Sequence, residues 1–340
     1  MAVTPSAESL ISTLSRSWID RYRAESQSTD WGQTLAMYGL LRGSSVVPDA
    51  EVDRYLRTWL LFHLNESLHI HYFCGSWSFG LLYPEVTKRF PEAQIGLRST
   101  AEKIYHTIMK KALRNGDGVI LHNVDLPNIY IDTIYYSSVL LAKIGTAYHL
   151  PWEEEALTQF AKHLAVLRDG DKPFFIHCEQ NLSGLRSEGS WARGNGWVMM
   201  TYAELLTYLP KTSGHYKRLR KEFIGMATVL AAYQTKSGLW RTIIDDRSSY
   251  EESSASAMYL FAYKRGQNLG ILGKEFDKTI QKAYDGLAKM VDNSGRFLGA
   301  SEGTWPGTIE YYKSLSTGEW WWGTGAYLLA LSEFIEKKRK

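Results

Sequence analysis

An aspartate set among aromatic residues is the most suggestive chemical group in the chain. It is Asp132, in Tyr130-Ile131-Asp132-Thr133, with Tyr135 and Tyr136 following. Aromatic neighbours desolvate a carboxylate and raise its pKa, whereas a helix N-terminus lowers it. A carboxyl balanced between those effects can give and take protons. Aspartate also caps helix N-termini, so spacing alone leaves both roles open. A second signal is Trp191-Ala192-Arg193-Gly194-Asn195-Gly196-Trp197. Its glycines permit close backbone approach, its arginine carries a fork that matches a carboxylate, and its tryptophans present flat faces to a sugar ring. An ordinary helix start with core tryptophans would read the same way.

The histidines say less. His69, His71 and Cys74 fall close together, but a metal site needs further ligands with oriented partners. No spacing here supplies such a set, so neither a metal nor a cofactor is expected. His122 and His177 lie in two long loops, as polar contacts at a rim or as plain loop residues. A nucleophile elbow, a phosphate-binding loop and a dinucleotide fingerprint are all missing from the sequence. The Lys337-Lys338-Arg339-Lys340 run reads as a solvated tail.

Helices must position these groups, because hydrophobic periodicity is helical almost throughout and no convincing period-two run appears. Twelve are expected: 5–24, 31–41, 50–66, 77–90, 95–114, 128–148, 151–166, 192–209, 214–235, 250–267, 273–292 and 321–336. In the first, Leu10, Ile11, Leu14, Trp18, Ile19 and Tyr22 form one stripe. Connections after odd helices are mostly long and those after even helices short, so the long loops gather at one end. Even helices are apolar on several faces, as in GWVMMTYAELLTYL and GTGAYLLALSEF; odd helices are amphipathic. Six buried helices alternating with six amphipathic ones describe an all-α (α/α)6 barrel, a single domain over residues 1–340. Each long loop then leads into the N-terminus of an inner helix, and such a rim favours an anionic ligand. Trp31, His71, Asp132, Trp191, Arg193 and Trp320-Trp321-Trp322 all fall at that rim.

Composition narrows the function classes. Of 340 residues, 44% are hydrophobic and 22% charged, enough for a large core and too ordered a mixture for disorder. A formal charge of +3 gives no concentrated basic face for nucleic acid. Two cysteines cannot make a disulfide framework. No apolar run is long enough to cross a bilayer, and no basic segment followed by an apolar one marks a secretory signal. The chain therefore reads as soluble and cytoplasmic, a monomer or a homodimer, with Asn65-Glu66-Ser67 and Asn181-Leu182-Ser183 as chance glycosylation patterns. Twelve Trp and twenty-one Tyr are many for this length; most must pack the core, but such residues also line sugar sites.

Taken together, WARGNGW, the upstream aromatic-x-Asp-Thr and the terminal GTGAYLLALSE helix resemble glycoside hydrolase family 105. These are the unsaturated rhamnogalacturonyl hydrolases, related to the unsaturated glucuronyl hydrolases of family 88. The resemblance runs from about Trp31 to Glu333 and implies an (α/α)6 barrel. It further implies that the partner is an oligosaccharide ending in a 4,5-unsaturated uronic acid. Asp132 would protonate C4 and then activate the water that adds at C5, so one carboxyl serves as acid and base. Arg193 and Asn195 would hold the uronate and its hydroxyls, with Trp191 and Trp197 as walls and Tyr130 stacking on the ring. His122 and His177 match polar loop positions; Trp31 and Gln33 line the site from the first inner helix, and Thr324 from the last.

One position departs from the family pattern. An acidic residue is usual in an L-D-x-I-x-x-G-like element before the fourth helix, where this chain has Ile70-His71-Tyr72-Phe73-Cys74-Gly75. An imidazole in place of a carboxylate changes charge and hydrogen-bond polarity beside the sugar, and so bears on which glycone and linkage are accepted. Two competing readings share the fold. A conventional inverting glycosidase or an epimerase would recruit Glu179, Glu188, Asp245, Asp246 or Glu251 from the loops. A catalytically silent carbohydrate-binding protein would bind sugar without turnover.

Overall fold

Six helical elements rich in small and aromatic residues close a ring. The computed structural model describes residues 4–66 and 68–335. The basic tail, the last residue of the expected final helix and Ser67 lie outside the described residues. Around the ring run α2 (Trp31–Val46), a 3₁₀ segment (Cys74–Leu82), a π-type turn (Tyr135–Val139) continuing into α6 (Leu140–Tyr148), α8 (Ala192–Tyr208), α10 (Ser253–Asn268) and α13 (Trp321–Ser332). Each packs on the next, and α13 returns to α2, which completes an (α/α)6 barrel. Outside it lie α1 (Ala7–Arg21), α3 (Ala50–Asn65), α5 (Gln94–His106), α7 (Glu153–Leu167), α9 (Gly214–Ala232) and α11 (Asp277–Ala288). Two short helices, α4 (Glu85–Arg89) and α12 (Ile309–Ser314), sit in the connections.

The division follows from side-chain chemistry. α1 buries Leu10, Ile11, Leu14 and Trp18 and turns its polar residues outward, with the Ser6 hydroxyl accepting the Ser9 N–H at its start. α2 and α13 bury nearly every residue and can do so because small residues let their backbones meet. A Cβ on Gly39 would lie 2.7 Å from the Gly325 carbonyl oxygen, and one on Gly325 would lie 2.4 Å from that of Leu35. Toward the C-terminal ends of the inner helices, buried charges form a layer. Glu204 meets Arg265 at 3.3 Å, Arg265 meets Glu333 at 2.7 Å, and Glu333 meets Arg42 at 3.1 Å.

Three expected elements need correction. The helix expected over 77–90 is a 3₁₀ segment that stops before Pro84, whose ring cannot donate to a helix ladder, and resumes as α4. The helix expected from residue 128 begins later: Ile129–Tyr130 form β1, paired antiparallel with β2 (Cys178–Glu179), with Tyr130 opposite Cys178. The loop over 293–320 contains α12. Two more ribbons, β3 (Trp240–Arg241) with β4 (Glu251–Glu252) and β5 (Ala300–Ser301) with β6 (Thr317–Gly318), fasten other long loops. These pairs are too short for a period-two pattern to reveal. No helix among the described residues is long and apolar enough to cross a membrane.

Candidate active site

At the N-terminal rim of the inner helices, a cavity of about 500 Å³ opens between loops. Trp31 enters from the first turn of α2, His71 and Phe73 from the loop before the 3₁₀ segment, Cys74 and Gly75 from its start, and Gly303, Thr304 and Trp305 from the loop before α12. His122, Tyr130, Asp132, Tyr136 and His177 complete its interior, and Asn123, Val124 and Asp125 its mouth.

Asp132 sits between β1 and the π-type turn, its position fixed on both sides. The Ile131 N–H donates to the His177 carbonyl at 2.9 Å, and the Asp132 carbonyl accepts the Tyr135 N–H at 3.1 Å. Its side chain is 17% exposed. Burial pushes the carboxyl up to about 6, against the opposing pull of Arg193, its own backbone N–H and the indole N–H of Trp197. Its Oδ2 has no hydrogen-bond partner among the described residues, and neither has the Tyr136 hydroxyl one turn later. The nearest polar atom recorded for Oδ2 is His177 Nε2, at 3.5 Å. Asp132 and Tyr136 both line the cavity, and unpaired polar atoms in its wall are groups that a ligand or its attacking water can satisfy.

Burial keeps two neighbouring imidazoles, those of His122 and His177, neutral. His122 stacks on Tyr130, ring centroids 4.3 Å apart, and its Nδ1 lies 3.0 Å from Thr133 Oγ1 and 3.2 Å from Cys74 Sγ. Burial pushes its pKa down to about 3. His177 stacks on Trp191 at 4.0 Å; burial, Arg193 and His122 together hold its pKa well below the usual value. His71, at the place usually acidic, accepts the Phe73 N–H on Nδ1 at 3.3 Å and lines the cavity. Cys74 pairs with His122 rather than with His69, and no group of three His, Cys, Asp or Glu among the described residues is arranged for a metal.

Of the residues singled out by sequence, Asp132, Trp31, His71, His122, Tyr130 and His177 meet at the cavity. The others do not line it. Arg193 is buried, and its terminal nitrogens donate to Ser301 O and Oγ at 3.0 and 2.5 Å and to Glu302 O and Thr304 Oγ1 at 3.0 and 2.6 Å. The expected uronate clamp is thus a loop anchor that acts on Asp132 by its charge. Asn195 spends its amide on the backbone of Phe175 and Trp191. Trp191 and Trp197 are buried behind the site, Trp197 against Tyr135 and Tyr136. Gln33 turns away, accepting the Ser28 N–H at 3.0 Å, and Thr324 is buried in α13. Gly194 explains part of this motif: a Cβ there would lie 2.7 Å from Ile131 Cγ2, so only glycine lets α8 press on the segment carrying Asp132.

Sequence reading missed Phe73, Thr304, Trp305 and the site role of Tyr136. Trp305 carried a usable signal, a tryptophan between threonine and proline in a long loop; it is 63% exposed over the cavity.

Known proteins share this fold. The YesR unsaturated rhamnogalacturonyl hydrolase of Bacillus subtilis (strain 168) is 27% identical over 322 residues, covering 92% of this chain and 91% of its own. The unsaturated 3S-rhamnoglycuronyl hydrolase of Formosa agariphila is 33% identical over 151 residues, 43% of this chain and 38% of that protein. A possible glycoside hydrolase family 105 member from Klebsiella pneumoniae superposes with a TM-score of 0.88 at 22% identity, over 97% of this chain and 92% of its own. The unsaturated glucuronyl hydrolase of Bacillus sp. GL1 superposes with a TM-score of 0.73 at 18% identity, over 96% and 95%. Residues 6–338 match Glycosyl Hydrolase Family 88, and the chain belongs to that family of glycoside hydrolases.

Proposed function

We propose that this hydrolase removes a terminal 4,5-unsaturated uronic acid, glucuronyl or galacturonyl, from lyase-generated oligosaccharides by hydrating the C4–C5 double bond. Asp132 acts at both steps. Its carboxyl delivers a proton to C4 of the enol ether, and positive charge develops at C5 and the ring oxygen. Water then attacks C5 and loses a proton to the Asp132 carboxylate, which restores the acid. The C5 hemiketal opens to a ketone, and C1, now a hemiacetal carbon, expels the remaining sugar as an alcohol. A carboxyl near 6 suits both roles at neutral pH, since neither form is scarce. Tyr130, Trp31 and Tyr136 supply apolar walls, and the imidazoles of His71, His122 and His177 supply polar edges to the ring hydroxyls and uronate.

The observation that carries this reading is that Asp132 is the one carboxyl set in the cavity's interior among the described residues; Asp125, the other carboxylate lining the cavity, is an exposed residue at its mouth. A two-carboxylate glycosidase needs a partner across the cleft. The loop carboxylates that sequence offered for that purpose are engaged elsewhere. Glu179 pairs with Arg186 at 2.5 Å, Asp245 with Lys172 at 2.8 Å, and Glu251 accepts from Ser237 at 2.6 Å. Glu188 accepts the Ile309 N–H at 3.1 Å, and Asp246 accepts from Ser248 at 2.7 Å. None of these residues lines the cavity.

The test is incubation with lyase-generated pectin, arabinogalactan and glycosaminoglycan fragments, following the ultraviolet absorbance of the C=C bond. Loss of absorbance with formation of a 5-keto uronate is expected. Release of an intact unsaturated or saturated sugar would replace this mechanism with direct glycosidic displacement, and sugar binding without turnover would make the chain a binding protein.

A further inference from the structure

Tyr312 is fully buried in α12, a helix that the sequence did not reveal, and its hydroxyl reaches the back of the site. That oxygen accepts the Gly307 N–H at 3.1 Å and lies 3.2 Å from His177 Nδ1. The opposite ring nitrogen, Nε2, faces Asp132 Oδ2 at 3.5 Å. The imidazole is held in plane between these contacts. Trp191 stacks on it at 4.0 Å, Tyr130 meets it edge-on at 5.5 Å, and Trp191 lies nearly parallel to Tyr312, at 16°.

A neutral imidazole has one N–H and one lone pair, and the atom bonded to one nitrogen decides what the other presents. The ring is neutral here, because it is buried beside Arg193 and near His122. The other titratable groups around it are Asp132, Tyr130, Cys178 and Tyr312 itself. With the Gly307 N–H already on its oxygen, Tyr312 has its phenolic proton to give; Ser187 Oγ also lies beside that hydroxyl, but it already accepts the Cys178 N–H at 3.0 Å and has its own proton to donate, so the lone pair of Nδ1 is the better acceptor.

We infer that Tyr312 is a positioning residue: by donating to His177 Nδ1 it keeps the single imidazole proton on Nε2, facing Asp132. This deepens the proposed reaction and rests on it for its catalytic meaning. While Asp132 is protonated, Nε2 has no lone pair with which to capture its proton, which stays available to C4. Once that proton is delivered, Nε2–H is in place as a donor to the new carboxylate. In the other tautomer an Nε2 lone pair would hold the acid's proton, and after transfer would face the carboxylate with no hydrogen between them. No proton leaves His177 in either step.

Nitrogen-15 NMR of the histidine side chains in the full-length protein reads the tautomer without substrate. The His177 signals are assigned by their loss in His177→Gln. Expected in the native protein is a protonated Nε2 and an unprotonated Nδ1; a protonated Nδ1 would overturn the inference even if the enzyme turns over unsaturated uronides. Tyr312→Phe keeps the ring on Trp191 and removes only the donor. A mixed or reversed tautomer is expected, with kcat lower by roughly tenfold to a hundredfold and KM within about twofold. An unchanged tautomer in that variant would equally overturn it. A shifted tautomer without any turnover by the native protein would support the positioning and reject the reaction.

Discussion

Arg193 donates to Thr304 Oγ1 at 2.6 Å, tying the first turn of α8 to the residue just before Trp305, which overhangs the cavity. Three more bonds reach Ser301 and Glu302, and the guanidinium is sandwiched by Trp191 and Trp322, 4.8 and 5.4 Å from their ring centroids. One side chain thus sets the height of a cavity wall and places a positive charge behind Asp132.

Arg193→Lys separates those two effects. Lysine keeps the charge but has a single nitrogen in place of the fork. Residues 301–304 should then exchange their amide hydrogens faster, and KM should rise roughly tenfold, about 1.4 kcal/mol of lost binding. Hydrogen exchange by mass spectrometry reads the loop directly. A raised KM with undiminished protection of 301–304 would mean that the arginine meets the uronate itself.

The pH dependence of kcat/KM reports the free acid. Asp132 must carry a proton to start the reaction, and its carboxyl titrates at about 6. The profile should be level below that pH and fall about tenfold per unit above it. His122, near 3, stays neutral across the window and adds no limb. Removing the nearby positive charge with Arg193→Met should move the limb upward, since that charge lowers the Asp132 pKa. Stopped absorbance assays from pH 5 to 9 would show it; a limb unmoved by the substitution would assign it to another group.

The same carboxyl destabilises the fold at neutral pH. Its pKa rises from 3.8 unfolded to about 6 folded, so the folded state holds the proton more tightly. Stability is therefore full below 3.8 and is lost as pH rises through 6. Asp132→Asn should be more stable than the native protein at pH 8, by about 1–3 kcal/mol, and lose that advantage at pH 4. Thermal unfolding at the two pH values is the check. A variant equally or less stable at pH 8 would show that Arg193 and Trp197 fully compensate the burial.

What could be read from the sequence followed from local chemistry. The aromatic setting of Asp132 is written within seven residues, and the alternation of amphipathic and all-round apolar helices needs only the 3.6-residue period. Arg193 misled because its partners lie 108 to 111 positions away. A fork suited to a carboxylate is equally suited to carbonyls and hydroxyls, and only the fold decides. Asn195 misled likewise, its amide satisfying buried backbone 20 residues distant. Tyr312 was hidden by a six-residue helix inside a long loop, too short to show a period.

At the other end of the barrel, Glu204 is the group whose loss should be felt most. It is fully buried, 3.1 Å from the Tyr38 hydroxyl and 3.3 Å from Arg265, and Lys143 donates to that same hydroxyl at 3.0 Å. Burial pushes its carboxyl up, but Lys143, Arg265 and Arg42 outweigh it and hold the pKa below the usual value. Glu333, beside Arg265, is held at about 2. Glu204→Gln leaves two buried cations short of a counter-charge and should cost about 3–5 kcal/mol. Because both carboxylates have lowered pKa values, their contribution is present above 4.5 and lost as pH falls toward 2. The deficit of the variant should therefore be large at pH 7 and shrink below pH 4, and Lys143→Met on top of it should restore part of the loss. Melting curves of the single and double variants at both pH values decide the matter. A single variant within about 1 kcal/mol of the native protein would mean that Glu333 and Glu85, the latter 3.5 Å from Lys143 and 3.3 Å from Arg42, alone balance this layer.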